Sequence, residues 1–124
     1  DISSRFAAGG SRGTVPDLLA FMRALNGGKL LSAKSVQMMI TPGVTKDGTP
    51  TTYGLGWQIP NFVDRETIVA NDGGQQETRT FILNETGRDF GMALAMNFEA
   101  DNYGPVIMRL YELANGRPLR FAEK

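Results

Sequence analysis

The stretch from Val69 to Asn97 constrains the fold of this chain more than any other segment. Its pattern predicts a strand, a glycine-rich turn at Asn71-Asp72-Gly73-Gly74, and two further strands over 78–83 and 90–96. Asn84-Glu85-Thr86-Gly87 has the composition of a tight turn between those two strands. Short strands that follow one another through tight turns pair antiparallel, so the segment predicts an antiparallel sheet.

The last of these strands has two unlike faces. Large and small residues alternate along it, with Phe90, Met92, Leu94 and Met96 on one face and Gly91, Ala93 and Ala95 on the other. Small residues in a strand mark a place where another element can approach closely. We therefore expect the final helix of the chain to pack on the face formed by Gly91, Ala93 and Ala95.

A helix is predicted before the sheet, starting after Thr14. Thr14 can accept from the free N–H groups of the first turn, and Asp17 stands three residues on, as in a capping box. Pro16 is tolerated in a first turn. Apolar residues follow at helical spacing until Gly27-Gly28 ends the helix; they are Leu18, Phe21, Met22 and Leu25.

A second short helix is predicted from Ser32 to just before Pro42. It carries three apolar residues on one face, Val36, Met39 and Ile40. Residues 43–52 form a polar loop. Residues 53–59 then alternate strictly and predict a strand, whose larger side chains face one way: Tyr53, Leu55, Trp57 and Ile59.

The final element is predicted to be a helix. Asp101 or Asn102 would cap it, Pro105 falls in its first turn, and Asn115-Gly116 ends it. Its apolar stripe consists of Val106, Ile107, Leu110, Leu113 and Ala114.

The order of helix, helix, antiparallel strands and helix predicts an α+β fold, with a sheet of about three to four strands, two N-terminal helices and a packed C-terminal helix. The length of 124 residues suits a single domain over 1–124. Within it we expect a loop over 1–13, a helical part over 14–41, and the sheet with its closing helix over 53–115.

Composition excludes several kinds of function. The chain has no cysteine and no histidine, which removes disulfides, thiolate metal sites and the commonest general base. Acidic residues are scattered without metal-loop spacing, so no metal site is predicted. Thirteen basic residues balance thirteen acidic ones, and no apolar run is long enough to cross a bilayer, so neither nucleic acid nor a membrane is an expected partner. Because the chain starts at Asp1 without a methionine, we expect it to have been processed or cut from a longer protein.

Three segments together resemble one protein family. Ala8 to Gly28 is similar to its glycine turn followed by a DLxxFxxxLxxGG helix. Tyr53-Gly54-Leu55-Gly56-Trp57 resembles its YGLGW strand, and Val69–Asn97 resembles its closing hairpin region. The family is the serine β-lactamase and penicillin-binding-protein superfamily, and the most similar branch is the class C β-lactamases with their esterase and peptidase relatives. The resemblance covers nearly the whole chain but only the C-terminal third or so of a family member.

The resemblance implies a hydrolase that acts on a small-molecule amide or ester through an acyl-serine, without a cofactor. Family members use a Ser-x-x-Lys nucleophile, a Tyr-x-Asn loop, and a third motif on a sheet strand, Lys-Thr-Gly or His-x-Gly. The third motif corresponds to Asn71, Asp72 and Gly73, and Gly74 corresponds to the residue whose backbone N–H joins the oxyanion hole. The resemblance also favours a periplasmic or secreted location.

This chain departs from the third motif at two of its three positions. Asn71 replaces a cation with a neutral amide, which can donate a hydrogen bond but cannot pair as a charge. Asp72 places a carboxylate where the family has a hydroxyl, so an acidic substrate would be repelled. Gly73 is retained, as close backbone approach requires. The following turn over 75–78 lacks the glycines common in the family.

Several motifs have a plainer interpretation beside the functional one. Asn71 to Gly74 could be an ordinary β-turn, since these are turn residues. Gly9-Gly10-Ser11-Arg12-Gly13 matches a nucleophile elbow, but a turn before a helix is favoured because the chain has no histidine partner. Trp57 and Tyr53 could line a pocket, although core packing is favoured. Asn84-Glu85-Thr86 fits a glycosylation triplet that also occurs by chance.

The chain contains no Ser-x-x-Lys, so no catalytic residue of the family type is expected within it. Three hypotheses follow. The chain is the C-terminal portion of a β-lactamase-like serine hydrolase, inactive alone; or it is a non-catalytic binding module derived from the same fold; or it is an independent α+β domain whose likeness is only local. Packing of the final helix away from the small-residue face would favour the third. An exposed sheet edge would favour a dimer or a domain swap.

Overall fold

A computed structural model describes residues 9–62, 67–98 and 102–121. Its helices are α1 (Val15–Asn26), α2 (Ala33–Met39) and α3 (Gly104–Asn115), and its strands are β1 (Ile68–Gln75), β2 (Thr78–Glu85) and β3 (Phe90–Met96). The strands form an antiparallel sheet in the order β1-β2-β3. The predicted α+β class is confirmed. Most of the loop predicted over 1–13 lies outside the described residues.

Helix α1 begins as its sequence predicts. The Asp17 N–H donates to Thr14 Oγ1 (3.3 Å), and the Thr14 N–H donates to Asp17 Oδ2 (2.8 Å), which completes the capping box. Gly27 caps the other end through its N–H. Helix α2 starts after Ser32, whose Oγ accepts from the Ser35 N–H at 3.2 Å. Both predicted N-terminal helices are therefore confirmed.

The first predicted turn of the sheet is wrong. Asn71, Asp72, Gly73 and Gly74 lie inside β1, where Asp72 pairs with Phe81 and Gly74 pairs with Arg79. Turn-forming residues can occupy a strand when cross-strand pairing satisfies their backbone groups. The chain instead turns at Gln76 and Glu77. Strand β2 likewise extends through Asn84 and Glu85, so the second turn covers 86–89.

Glu77 occupies a position that favours glycine. Its φ is 57°, in the left-handed region, where a side chain crowds the backbone. Replacing Glu77 by Gly should raise the free energy of unfolding by about 1 kcal/mol, because the strain outweighs the extra flexibility of glycine in the unfolded chain. Thermal or urea unfolding measures this. Glu77→Ala is the control, since it removes the carboxylate but keeps the Cβ, and equal stability of the Ala and Gly variants would contradict the explanation.

Helices cover both faces of the sheet, but not in the predicted arrangement. Helix α1 packs on the small-residue face, where a Cβ atom on Gly91 would lie 3.2 Å from Met22 Cε. Helix α3 packs on the large-residue face, with the Tyr111 ring edge-on to Phe90 at 5.5 Å between centroids. The prediction that the final helix packs on Gly91, Ala93 and Ala95 is wrong, because Met22 of α1 fills the space that Gly91 leaves.

The apolar stripe of α3 also differs from the prediction. Ile107 and Tyr111 are its buried residues, whereas Val106, Leu110, Leu113 and Ala114 are exposed. Tyr103 is the N-cap residue, so Asn102 does not cap the helix, and Asp101 lies outside the described residues. Pro105 in the first turn and termination at Gly116, which has a φ of 69°, are confirmed.

The strand predicted over 53–59 is wrong. The Gly54 N–H donates to the Trp57 carbonyl oxygen (2.8 Å), and Gly56 has a φ of 82°, so the chain turns here. Trp57 is buried in the α1 core at 2 % exposure, as expected, but Tyr53 and Leu55 are exposed, which contradicts core packing of Tyr53. Glycines permitted a turn where the alternation of residues suggested an extended strand.

Two clusters form the core on opposite faces of the sheet. One joins Met22, Leu25, Trp57 and Val69 between α1 and the sheet. The other joins Phe62, Ile68, Leu83, Tyr111 and Leu119 beneath α3. Among the described residues, no helix is long and apolar enough to cross a membrane.

Candidate active-site edge

The outer edge of β1 is partly covered and partly open. Gln58 and Ala70 exchange two backbone hydrogen bonds of 2.7 and 2.9 Å, so the N–H and C=O of Ala70 point outward. Because these directions alternate along a strand, the backbone groups of Asp72 and Gly74 point to the same edge. Within the described ranges, no strand pairs with this edge beyond Ala70. The structure thus brings the candidate residues to one open edge.

Asn71 lies on the α1 face of β1 and is tied to the neighbouring turn. Its Nδ2 donates to the carbonyl oxygen of Gly56 (2.8 Å), and its Oδ1 accepts from the Asp72 N–H (2.9 Å). The Asn71 amide therefore fixes the 53–58 segment against β1. The same amide also engages the Asp72 N–H, one of the two outward N–H groups of the open edge.

Asp72 lies on the opposite face, among hydrogen-bond donors of its own chain. Gln58 Nε2 donates to Asp72 Oδ1 (2.6 Å), and Tyr103 Oη donates to Oδ2 (3.2 Å). The Tyr103 ring is in turn edge-on to Phe81 at 6.3 Å. Burial raises the pKa of Tyr103, and the Asp72 carboxylate raises it further, so the phenol stays protonated and donates. Both oxygens of the Asp72 carboxylate therefore accept hydrogen bonds from within the chain.

Gly73 and Gly74 differ in what surrounds them. A Cβ atom on Gly73 would lie 3.0 Å from Thr80 Oγ1, which donates to the Gly73 carbonyl oxygen at 3.4 Å. A Cβ atom on Gly74 would lie 2.7 Å from Arg79 Nη1. Gly74 therefore leaves room for a guanidinium, and its N–H points to the open edge of β1.

Sequence patterns missed three residues of this edge: Gln58, Arg79 and Tyr103. Gln58 falls in the strand incorrectly predicted over 53–59, and Tyr103 stands beside Asn102, one of the two residues expected to cap the last helix. Arg79 had no local signal, since its position above Gly74 follows from the β1–β2 register. These three residues come together only because segments that are distant in sequence pack against one another.

Other candidate motifs do not gather at the edge. Ser11 is exposed, and the residues that would form a strand ahead of it lie outside the described part. Asn84 is fully buried, and its amide exchanges two hydrogen bonds of 2.9 Å with Asn26. The folded chain therefore hides the asparagine of the glycosylation triplet. Across 9–62, 67–98 and 102–121, no group of three or more acidic residues is arranged to hold a metal ion.

Comparison with protein families assigns most of the chain to one family. The family model described as Beta-lactamase matches residues 2–114. A search among curated proteins found no match. Although α3 packs away from the small-residue face, a match of this extent overturns the hypothesis of an independent domain with only local likeness. The chain belongs to the beta-lactamase family.

Proposed function

We propose that this chain forms one wall of the active site of a β-lactamase-like serine hydrolase whose nucleophile lies outside these residues. Membership of the family suggests a serine-hydrolase-like protein. The open edge of β1 supports the proposal that this chain is one wall of the active site. Along this edge, the covered part of the strand is followed by Asn71, Asp72, Gly73 and Gly74. An extended edge of this kind can align a substrate carbonyl beside backbone donors.

In this proposal Asn71, Asp72 and Gly73 form the third motif, and the N–H of Gly74 is one oxyanion donor. The serine oxygen attacks the carbonyl carbon of an amide or ester, and the negative charge that develops on the carbonyl oxygen is stabilised by the Gly74 N–H. Departure of the amine or alcohol leaves an acyl-serine. Water then hydrolyses the acyl group and releases the carboxylic acid.

The chain alone should not turn over substrate, because it contains no Ser-x-x-Lys. We expect the purified 124-residue chain to hydrolyse nitrocefin and p-nitrophenyl acetate no faster than buffer with an equal amount of a heat-denatured sample. A family member that retains the serine and lysine is the positive control. Clear turnover that disappears after Ser11→Ala would contradict the proposal and revive the nucleophile-elbow interpretation.

A second candidate is a non-catalytic binding module. It is favoured by one observation: the Asn71 and Asp72 side chains are both engaged in internal hydrogen bonds, which suits a structural use of the motif. Sequence upstream of this chain in its gene separates the two candidates. A Ser-x-x-Lys and a Tyr-x-Asn there would support the hydrolase, and loss of both would support the module.

We also propose self-association through the free edge of β3. Its sequence, Phe90–Met96, carries no charge or proline, and no strand pairs with its outer side within the described part of the chain. Phe98, two residues after the end of β3, is an exposed apolar side chain. Such an edge favours pairing with a second copy by dimerisation or swapping.

Light scattering over a concentration series tests this proposal. We expect a mass above that of the monomer, and we expect Ala95→Lys to shift the protein toward the monomer because a charge on an exposed edge position opposes pairing. Thr78→Lys, an exposed position on β2, is the matched control. A wild-type chain that stays monomeric at high concentration contradicts the proposal.

A further inference from the structure

Two adjoining cavities lie where the second half of α1 meets the turn over 86–89 and the start of β3. The inner cavity has a volume of about 180 Å³, and its lining includes the apolar residues Leu19 and Met22. The outer cavity, of about 370 Å³, lies beside the turn over 86–89. Three residues line both cavities, so the two form one bipartite site: Arg23, Asn26 and Asp89.

The inner cavity contains a buried amide pair whose hydrogen-bonding capacity is only half used. Asn26 Nδ2 donates to Asn84 Oδ1, and Asn84 Nδ2 donates to Asn26 Oδ1, both at 2.9 Å. Each amide has two N–H donors and two lone pairs, so one of each is left over. Among the described residues, no other group bonds to the Asn84 amide, although Asn84 is fully buried and lines this cavity. A buried donor without a partner costs stability, so the inner cavity suits a polar occupant.

The outer part of the site holds charges of both signs. Arg23 and Asp89 are exposed residues that line both cavities. Within the described part of the chain, neither side chain has a hydrogen-bond or ion-pair partner, and they do not pair with each other. Arg88 also lines the outer cavity, but its guanidinium already pairs with the buried Glu85 at 3.3 Å. A zwitterion could therefore satisfy Arg23 with its anionic group and Asp89 with its cationic group.

This site is distinct from the open edge of β1. Asn84 and Arg79 are five positions apart on β2, a separation of roughly 17 Å at about 3.3 Å per residue. Arg79 is the cross-strand partner of Gly74, whereas Asn84 pairs with Val69 at the start of β1. Binding in the cavities therefore does not depend on the proposed hydrolase activity.

We propose that the two cavities bind a zwitterionic α-amino acid whose side chain ends in a carboxamide. Its carboxylate binds the Arg23 guanidinium, and its ammonium group binds the Asp89 carboxylate. Its methylene groups contact Leu19 and Met22 in the inner cavity. A carboxamide both donates and accepts, so it can use the N–H and the lone pair that Asn84 leaves free.

NMR titration of the isotopically labelled 124-residue chain with L-glutamine tests the proposal. We expect saturable shifts of the side-chain amide resonances of Asn26 and Asn84 and of the Gly91 N–H. The dissociation constant should be on the order of 1 mM, because the charged groups are exposed and each contributes little. L-Methionine, which has no hydrogen-bonding group of this strength in its side chain, should bind about tenfold more weakly. L-Glutamate should also bind more weakly, since its second carboxylate would be buried without a donor of opposite charge.

Two variants identify the charged groups. Arg23→Gln and Asp89→Asn should each weaken glutamine binding about fivefold, and both should fold because neither side chain has a partner among the described residues. Glutaramate has the carboxylate and the carboxamide of glutamine but lacks its ammonium group. Arg23→Gln should therefore weaken glutaramate binding, whereas Asp89→Asn should not. Arg12→Gln, an exposed position outside both cavities, is the matched control for loss of one positive charge.

Each result decides part of the proposal. Equal affinity for glutamine and methionine would overturn the role of the amide pair. Glutamine binding that survives both Arg23→Gln and Asp89→Asn would overturn the role of the charges. The absence of any saturable shift would show that water alone occupies the cavities, and would overturn the proposal whether or not the parent protein is a hydrolase.

Discussion

Replacing Gly54 by alanine is expected to lower the free energy of unfolding by about 3 kcal/mol or more. A Cβ atom there would collide with the carbonyl oxygen of Met39 and lie 3.1 Å from that of Thr41. These are backbone atoms at the end of α2, so no side-chain rotation can relieve the overlap. The Leu55 N–H also donates to the Met39 carbonyl oxygen (2.9 Å), and this bond would be lost if the segments separated.

Chemical denaturation measures this change. Gly13→Ala is the matched control, because a Cβ atom on Gly13 meets its nearest neighbour, Asp17, at an ordinary 3.6 Å. We expect the control to change stability by less than about 1 kcal/mol. Equal stability of Gly54→Ala and Gly13→Ala would show that the turn over 53–57 is not docked on α2 as described.

The same substitution should disturb the candidate site. The Gly56 carbonyl oxygen accepts a hydrogen bond from the Asn71 side-chain amide. Gln58 pairs with Ala70 through its backbone and donates to Asp72 through its side chain, so the segment after Gly54 supports the edge of β1. Loss of its docking would free the Asn71 side chain. Glycine at 54 therefore connects the packing of α2 with the geometry of the proposed third motif.

Local chemistry in the sequence was enough to predict part of this fold. The capping box of Thr14 and Asp17 located α1, Ser32 located the start of α2, and the alternation from Phe90 to Met96 located β3. In each case the signal and the structure it determines lie within a few residues. Antiparallel pairing followed from short strands and short turns.

The features that the sequence did not predict correctly depend on contacts between residues far apart in the chain. Asn71 to Gly74 look like a turn, yet pairing with β2 keeps them in a strand. Which helix packs on the small-residue face of β3 depends on which one carries a side chain that fits against Gly91. Met22 of α1 is that side chain. The contacts of Asp72 with Gln58 and Tyr103 join residues far apart in sequence, so no local pattern could show them.

The second large effect concerns the backbone of Gly74. Proline at this position would remove the N–H that we assign to the oxyanion hole, while an outward-facing edge position tolerates the loss of a strand donor. In a complete protein that joins these residues to the serine and lysine, we expect Gly74→Pro to lower kcat by about 10²- to 10³-fold. Gly74→Ala is the reference, since its Cβ displaces Arg79 in the same way but keeps the N–H.

The ratio of kcat between Gly74→Ala and Gly74→Pro on p-nitrophenyl acetate, a neutral ester, tests the central claim most directly. Thermal unfolding of both variants first establishes that each is folded. A ratio of about 10² or more is the predicted result, because alanine keeps the backbone N–H that proline lacks. A ratio near one in folded proteins would contradict the claim that the open edge of β1 is the oxyanion wall of a serine hydrolase.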